Sequence, residues 1–147
     1  MRILGLDIGD IKIGVAISDE DGIISQGLCV IERKDMKKEF KKIIHKYKPE
    51  MIVCGMPTTM DGRRGYQAKK VLSFISELSL ITDVPIETYN ERLTTKEAEK
   101  ILEEANIKQK KKKAFVDKIS AQLILQGFLD RRKTTAMNLD HYSYFRI

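Results

Sequence analysis

Three acidic side chains stand out as residues that could do chemistry: Asp7, Glu91 and Asp117. Asp7 closes an apolar run, Ile3 to Leu6, and is followed by Gly9 and a second apolar run from Ile13 to Ile17. Glu91 and Asp117 lie in similarly apolar settings much later in the chain. A carboxylate delivered at the end of a strand is costly unless it meets solvent, a donor or a cation. Three of them in one small domain point to a divalent-cation site, because Mg²⁺ takes hard oxygen ligands and keeps several waters. Two such ions stabilise the attacking and leaving oxygens of a phosphodiester together. On this reading Asp7, Glu91 and Asp117 are both the metal ligands and the catalytic residues of a two-ion Mg²⁺ or Mn²⁺ site. Each acid also has a plainer use. Asp7 could bond the amides of the Gly9–Asp10 turn, Glu91 could pair with Arg92 or a lysine, and Asp117 could stabilise the positive end of a helix.

The substrate that suits such a site is a polyanion, and the cations for it are present. The net charge is +6. Lys110, Lys111, Lys112 and Lys113 directly precede the segment bearing Asp117, Arg63 and Arg64 sit in a loop after the fourth strand, Arg92 follows Glu91, and Lys12 lies in the first turn. Phosphate contacts from such residues give sequence-independent, salt-sensitive affinity. A solvated surface with no partner is the alternative for the lysine run. Tyr66 reads as a core or helix-start residue, with base stacking as the alternative.

The elements that must position these groups follow from periodicity. Residues 2–8, 13–19 and 23–31 read as three strands, with Asp21 and Gly22 as a hairpin turn between the second and third. Met36, Phe40, Ile43, Ile44 and Tyr47 mark one face of a helix ended by Pro49. Met51 to Cys54 is a strand buried on both faces, and Gly55 to Gly65 a loop. Ala68, Val71, Leu72, Ile75 and Leu78 mark a second helix, and Val84 to Tyr89 a fifth strand. Ala98, Ile101, Leu102 and Ala105 mark a third helix, followed by a basic loop from Asn106 to Lys113. A last buried helix runs from Ala114 to Asp130. The order predicts an α/β fold with a mixed five-stranded sheet. Its first three strands are antiparallel, strands one, four and five parallel, and helices cover both faces. Ligands collect at the carboxyl ends of parallel strands, which puts Asp7 and Glu91 on one rim.

At 147 residues the chain is expected to form one domain, residues 1–132, with a tail at 133–147 whose Tyr142 to Ile147 could add a strand. No apolar run approaches the length that spans a bilayer, and the chain enters a strand at once, so no membrane partner and a cytoplasmic location are expected. Cys29 and Cys54 read as buried, reduced thiols, and no His/Cys cluster suggests zinc.

In order and spacing, four motifs resemble the YqgF (RuvX) family of RNase H-like nucleases over nearly the whole chain. The family's LDxGxKRxGVAxSD opening appears as Leu6-Asp7-Ile8-Gly9 through Gly14-Val15-Ala16 to Ser18-Asp19. Its central glycine-proline motif appears as Gly55-Met56-Pro57, and its DERLTT signature as Asn90-Glu91-Arg92-Leu93-Thr94-Thr95. Its late DxxAAxxIL pattern appears as Asp117, Ser120, Ala121, Ile124 and Leu125. The resemblance implies an RNase H-like fold, Asp7, Glu91 and Asp117 as an acidic triad, and maturation of the 5′ end of precursor 16S ribosomal RNA as a monomer or homodimer. Holliday-junction resolution is the alternative activity it implies. Three positions depart from the pattern. Asn90 replaces an aspartate, Asp10 a small hydroxyl residue and Ile11 a lysine. They sharpen a further reading, a nucleic-acid-binding module with weak catalysis. Asp10 is expected to face solvent, and Ser120 in place of alanine to be harmless.

Overall fold

The two apolar runs of the opening segment form β1 (Ile3–Ile8) and β2 (Lys12–Ser18), and the third forms β3 (Ser25–Glu32). The computed structural model describes residues 1–57, 62–91 and 118–133. A single 3₁₀ turn, Arg33–Asp35, leads into helix α1 (Met36–Tyr47), followed by β4 (Met51–Pro57), α2 (Gly62–Ser79) and β5 (Ile86–Glu91). A last described helix, α3, covers 118–133. The strand order is β3-β2-β1-β4-β5. β1 pairs antiparallel with β2 and parallel with β4, β2 pairs antiparallel with β3, and β4 pairs parallel with β5. This is the mixed sheet expected from the element order.

Strand alternation divides the interior into two cores. Leu4, Leu6 and Ile8 of β1 and Ile13, Val15 and Ile17 of β2 face Phe40 and Ile43 of α1 and Val71, Phe74 and Leu78 of α2. Phe40 and Phe74 meet edge to face, with ring centroids 5.9 Å apart. On the other face, Ile3, Ala16 and Val53 meet Ala121, Leu125 and Leu129 of α3. Burying side chains of this size contributes about 1.5–3 kcal/mol each. Two strand glycines let α3 lie close to the sheet. A Cβ on Gly5 would come within 2.6 Å of Leu125 Cβ, and one on Gly55 within 2.6 Å of Ile124 Cδ1.

Several local expectations shift. The hairpin turn is wider than Asp21-Gly22, because Asp19 gathers residues 19–24 around its carboxylate and β3 begins only at Ser25. Lys48, in the left-handed region at φ 48°, terminates α1 before Pro49. β4 extends through Pro57 and α2 starts at Gly62, so Arg63 and Arg64 belong to the first turn of a helix and not to a loop. Leu72 is exposed and Phe74 takes its place in the core, since the buried stripe of α2 runs Ala68, Val71, Phe74, Leu78. Cys29 and Cys54 are free thiols, and burial pushes the Cys54 thiol up to about 12. The third predicted helix, the basic loop and the tail from 134 onward lie outside the described residues, and among those described no helix is long and apolar enough to cross a membrane.

Candidate functional site

Asp7 is half-buried near the carboxyl end of β1, and its strand parity puts it on the α3 face with Ile3 and Gly5. It stands opposite Gly14 on β2. On the other side the parallel register pairs Leu6 with Cys54, so the next residue level with Asp7 on β4 is Gly55. Asp7 is therefore flanked on both neighbouring strands by residues with no side chain. The amide of Gly9 donates to the Lys12 carbonyl at 3.0 Å, closing the β1–β2 turn, so this N–H is occupied by the turn itself. A hard oxygen donor at a strand end, with bare backbone on either side, fits a hydrated divalent cation.

Glu91 ends β5 opposite Pro57 of β4, two strands from Asp7 on the same edge of the sheet. Its position has the parity of Tyr89, whose ring packs edge to face on Phe128 of α3. Asp117 lies outside the described residues, immediately before the first described residue of α3. The Ala121 carbonyl lies 3.3 Å from where a Gly5 Cβ would stand, so the early part of α3 passes over β1 two residues from Asp7. Among the described residues no three His, Cys, Asp or Glu side chains converge.

Among the candidate substrate cations, Lys12 is exposed at the start of β2, and its parity gives it the same face as Asp7. Arg63 and Arg64 fall in the first turn of α2, which packs on the opposite face. Arg92 and Lys110 to Lys113 lie outside the described residues. Asn90 pairs with Met56 in register, and Met56 packs against the α1–α2 core. Position 90 therefore has the parity opposite to that of Asp7, and asparagine there takes no charge from the Asp7 face.

The sequence hid a cluster on that opposite face. Asp10, at the tip of the β1–β2 turn, forms an ion pair with Lys70 of α2, so it faces a cation as well as water. The Lys70 ammonium lies 4.2 Å from the centroid of the Tyr66 ring. The Asp10 hydrogen bond holds the Lys70 ammonium above its ordinary range. Tyr66 is 61% exposed, which removes the core reading. Arg33 adds a second cation, its Nη1 lying 3.5 Å from the Gly9 carbonyl and its guanidinium 5.7 Å from the Phe74 ring. Only the i, i+4 spacing of Tyr66 and Lys70 was visible in the sequence; their link to Asp10 spans sixty residues.

Ser18 and Asp19, which close the first motif, are scaffold. The Ser18 hydroxyl accepts from the Ile3 amide at 2.8 Å and donates to the Asp19 carbonyl at 2.9 Å. The Asp19 carboxylate accepts from the amides of Ile23 and Ile24 at 2.7 and 3.1 Å, and these donors lower its pKa.

The model of the RuvX family, described as a Holliday junction resolvase, matches residues 1–131. A protein of Thermoanaerobacter pseudethanolicus described as "Putative pre-16S rRNA nuclease" is 48% identical over 137 residues, covering 90% of this chain and 99% of that protein. One of the same description from Halothermothrix orenii is 47% identical, covering 88% of this chain and 95% of that protein. Among solved structures, Thermus thermophilus RuvC in complex with a Holliday junction substrate superposes with a TM-score of 0.54 at 16% identity, covering 90% of this chain and 96% of that one. Fowlpox virus resolvase with junction DNA gives 0.53 at 12% identity, covering 89% and 98%. At these identities the likeness is one of fold, and it establishes the RNase H-like architecture.

Proposed function

Because the chain belongs to the RuvX family, we propose that it is a phosphodiester-cleaving nuclease, dependent on a divalent metal, that matures the 5′ end of precursor 16S ribosomal RNA in the cytoplasm. Its relatives are described as pre-16S rRNA nucleases, which supports the choice of substrate. The observation that carries the metal-dependent reading is Asp7, half-buried at a strand end between Gly14 and the level of Gly55, on the edge that Glu91 shares.

In this reading Asp7, Glu91 and Asp117 would hold one or two Mg²⁺ or Mn²⁺ ions, which would supply Lewis-acid stabilisation of the attacking and leaving oxygens. The chain's own residues do the rest. Asp7 contributes charge and a fixed oxygen donor from a rigid strand. The strand positions on either side of it, Gly14 and the level of Gly55, add no side chain of their own. Lys12, on the same face, draws the substrate backbone toward the rim by charge, together with Arg63, Arg64, Arg92 and Lys110 to Lys113.

The test is cleavage by the purified protein of a precursor 16S rRNA fragment and of a four-way DNA junction, each with Mg²⁺, with Mn²⁺ and with chelator. Divalent-dependent cleavage of the RNA at the 5′ maturation site supports the proposal. Cleavage of the junction alone replaces it with a resolvase. Salt-sensitive binding without cleavage of either replaces it with a binding module.

A further inference from the structure

The ring of Tyr66 is exposed and belongs to neither core cluster. The buried stripe of α2 is Ala68, Val71, Phe74 and Leu78, and Tyr66 stands off it with most of its surface in water. Here it carries a positive charge at its face, because the Lys70 ammonium lies 4.2 Å from the ring centroid. Lys70 is held by Asp10, which sits in the β1–β2 turn three residues after Asp7. The arrangement joins an aromatic platform, a fixed cation and the turn that follows the candidate catalytic strand.

We propose that Tyr66 and Lys70 form a subsite for one unpaired nucleotide of the substrate, the base stacking on the Tyr66 ring and the phosphate meeting the Lys70 ammonium, with Asp10 as the positioning residue that holds Lys70. The inference rests on the reading of the chain as a nuclease. An ammonium has three donors, so Lys70 engages a phosphate while keeping its bond to Asp10. Every base has a π-face, so the subsite requires an unpaired nucleotide without choosing its identity. α2 packs on the face opposite Asp7, so the strand ends separate the subsite from the acid. The nucleotide it takes flanks the scissile bond and is not part of it. A substrate that leaves duplex near the cleavage point meets both places, whereas a continuous blunt duplex has no free base for Tyr66.

The test is fluorescence anisotropy in chelator, with a blunt RNA hairpin and the same hairpin carrying a short unpaired 5′ extension. The wild-type protein is expected to bind the extended hairpin more tightly. Tyr66→Ala is expected to weaken that complex about tenfold, within the range for loss of one base stack, and to leave the blunt complex unchanged. Tyr66→Phe keeps the preference. Lys70→Gln lowers the salt dependence by about 0.7 in slope, the value for one single-strand phosphate. Thermal melting of Tyr66→Ala at the wild-type temperature shows that the fold is intact. If Tyr66→Ala binds the extended hairpin as wild type does, or loses affinity equally for both hairpins, the subsite is refuted while the nuclease reading stands. If the wild-type protein binds neither hairpin, both fall.

Discussion

The Cβ that Gly5 lacks would stand 2.6 Å from Leu125 Cβ and 3.3 Å from the Ala121 carbonyl. Helix and sheet meet here backbone to side chain, two residues before Asp7. Because real Cβ atoms do not approach that closely, a methyl group at position 5 forces α3 away from β1. Gly5→Ala is therefore expected to destabilise the protein by about 1–3 kcal/mol, the range for overpacking a filled core. If Asp117 acts together with Asp7, as proposed, displacing α3 also lowers cleavage where the variant is still fully folded. Urea denaturation and a cleavage assay below the unfolding midpoint separate the two effects.

Gly65 gives the opposite result for the same substitution. It lies within α2, and a Cβ there would meet nothing within 4 Å among the described residues. Gly65→Ala is expected to stabilise by about 0.5–1 kcal/mol, the difference in helix preference between the two residues. A urea midpoint at or below the wild-type value would show that α2 is not helical at this position.

The contrast between these two glycines shows where the sequence was legible. Strand and helix types followed from periodicity, and the mixed sheet from the order of those elements and the handedness of their crossovers. Asp7 was legible because an acid ending an apolar run is locally anomalous. Gly5 and Gly55 were not, since their requirement is set by Leu125 and Ile124 on a helix far along the chain. Phe74 was missed in favour of Leu72 because the two stand about 200° apart on either side of the stripe, and only the packed neighbour, Phe40, shows which side is buried. The Asp10–Lys70 pair is likewise a product of the folded topology and has no local signature.

Ser120 illustrates a cost invisible before folding. It occupies a position where the family pattern has alanine, the residue is 1% exposed, and its buried hydroxyl has no hydrogen-bond partner among the described residues. The substitution is thus not harmless. Burying an unsatisfied hydroxyl costs about 1–3 kcal/mol. Ser120→Ala is expected to recover about 1 kcal/mol and to raise Tm by about 3 °C for a chain of this size. Calorimetry decides it, and a lower Tm would mean that the hydroxyl has a partner in the folded protein.

Asp19 sets an acid limit on the β2–β3 turn. Its carboxylate accepts two backbone amides, chiefly that of Ile23, and its pKa is lowered from 3.8. A depressed folded-state pKa contributes stability that is present above the unfolded value and is lost as pH falls through the folded one. The wild-type protein should therefore lose stability below about pH 4 more steeply than Asp19→Asn, whose amide oxygen still accepts but does not titrate. Urea midpoints compared at neutral pH and at pH values below 4 read the difference directly. Parallel curves for the two proteins would remove Asp19 from the acid response.

Asp7→Asn isolates charge from shape. The amide is nearly isosteric, the neighbouring strand positions are glycine, and the side chain is only half-buried, so Tm should stay within a few degrees of wild type. The loss of a negative oxygen ligand should be far more costly to the reaction. Changing a residue that merely supports a metal ligand costs about 10–100-fold, so neutralising a ligand itself is expected to lower divalent-dependent cleavage by at least about a hundredfold. RNA affinity in chelator should hold or rise, because an acid that repels the phosphate backbone has been removed. This combination of unchanged fold, retained binding and strongly reduced cleavage is what a metal-holding carboxylate requires and a turn-securing one does not give. If Asp7 instead secured the β1–β2 turn, the same substitution would lower Tm and weaken binding together while the folded fraction stayed active.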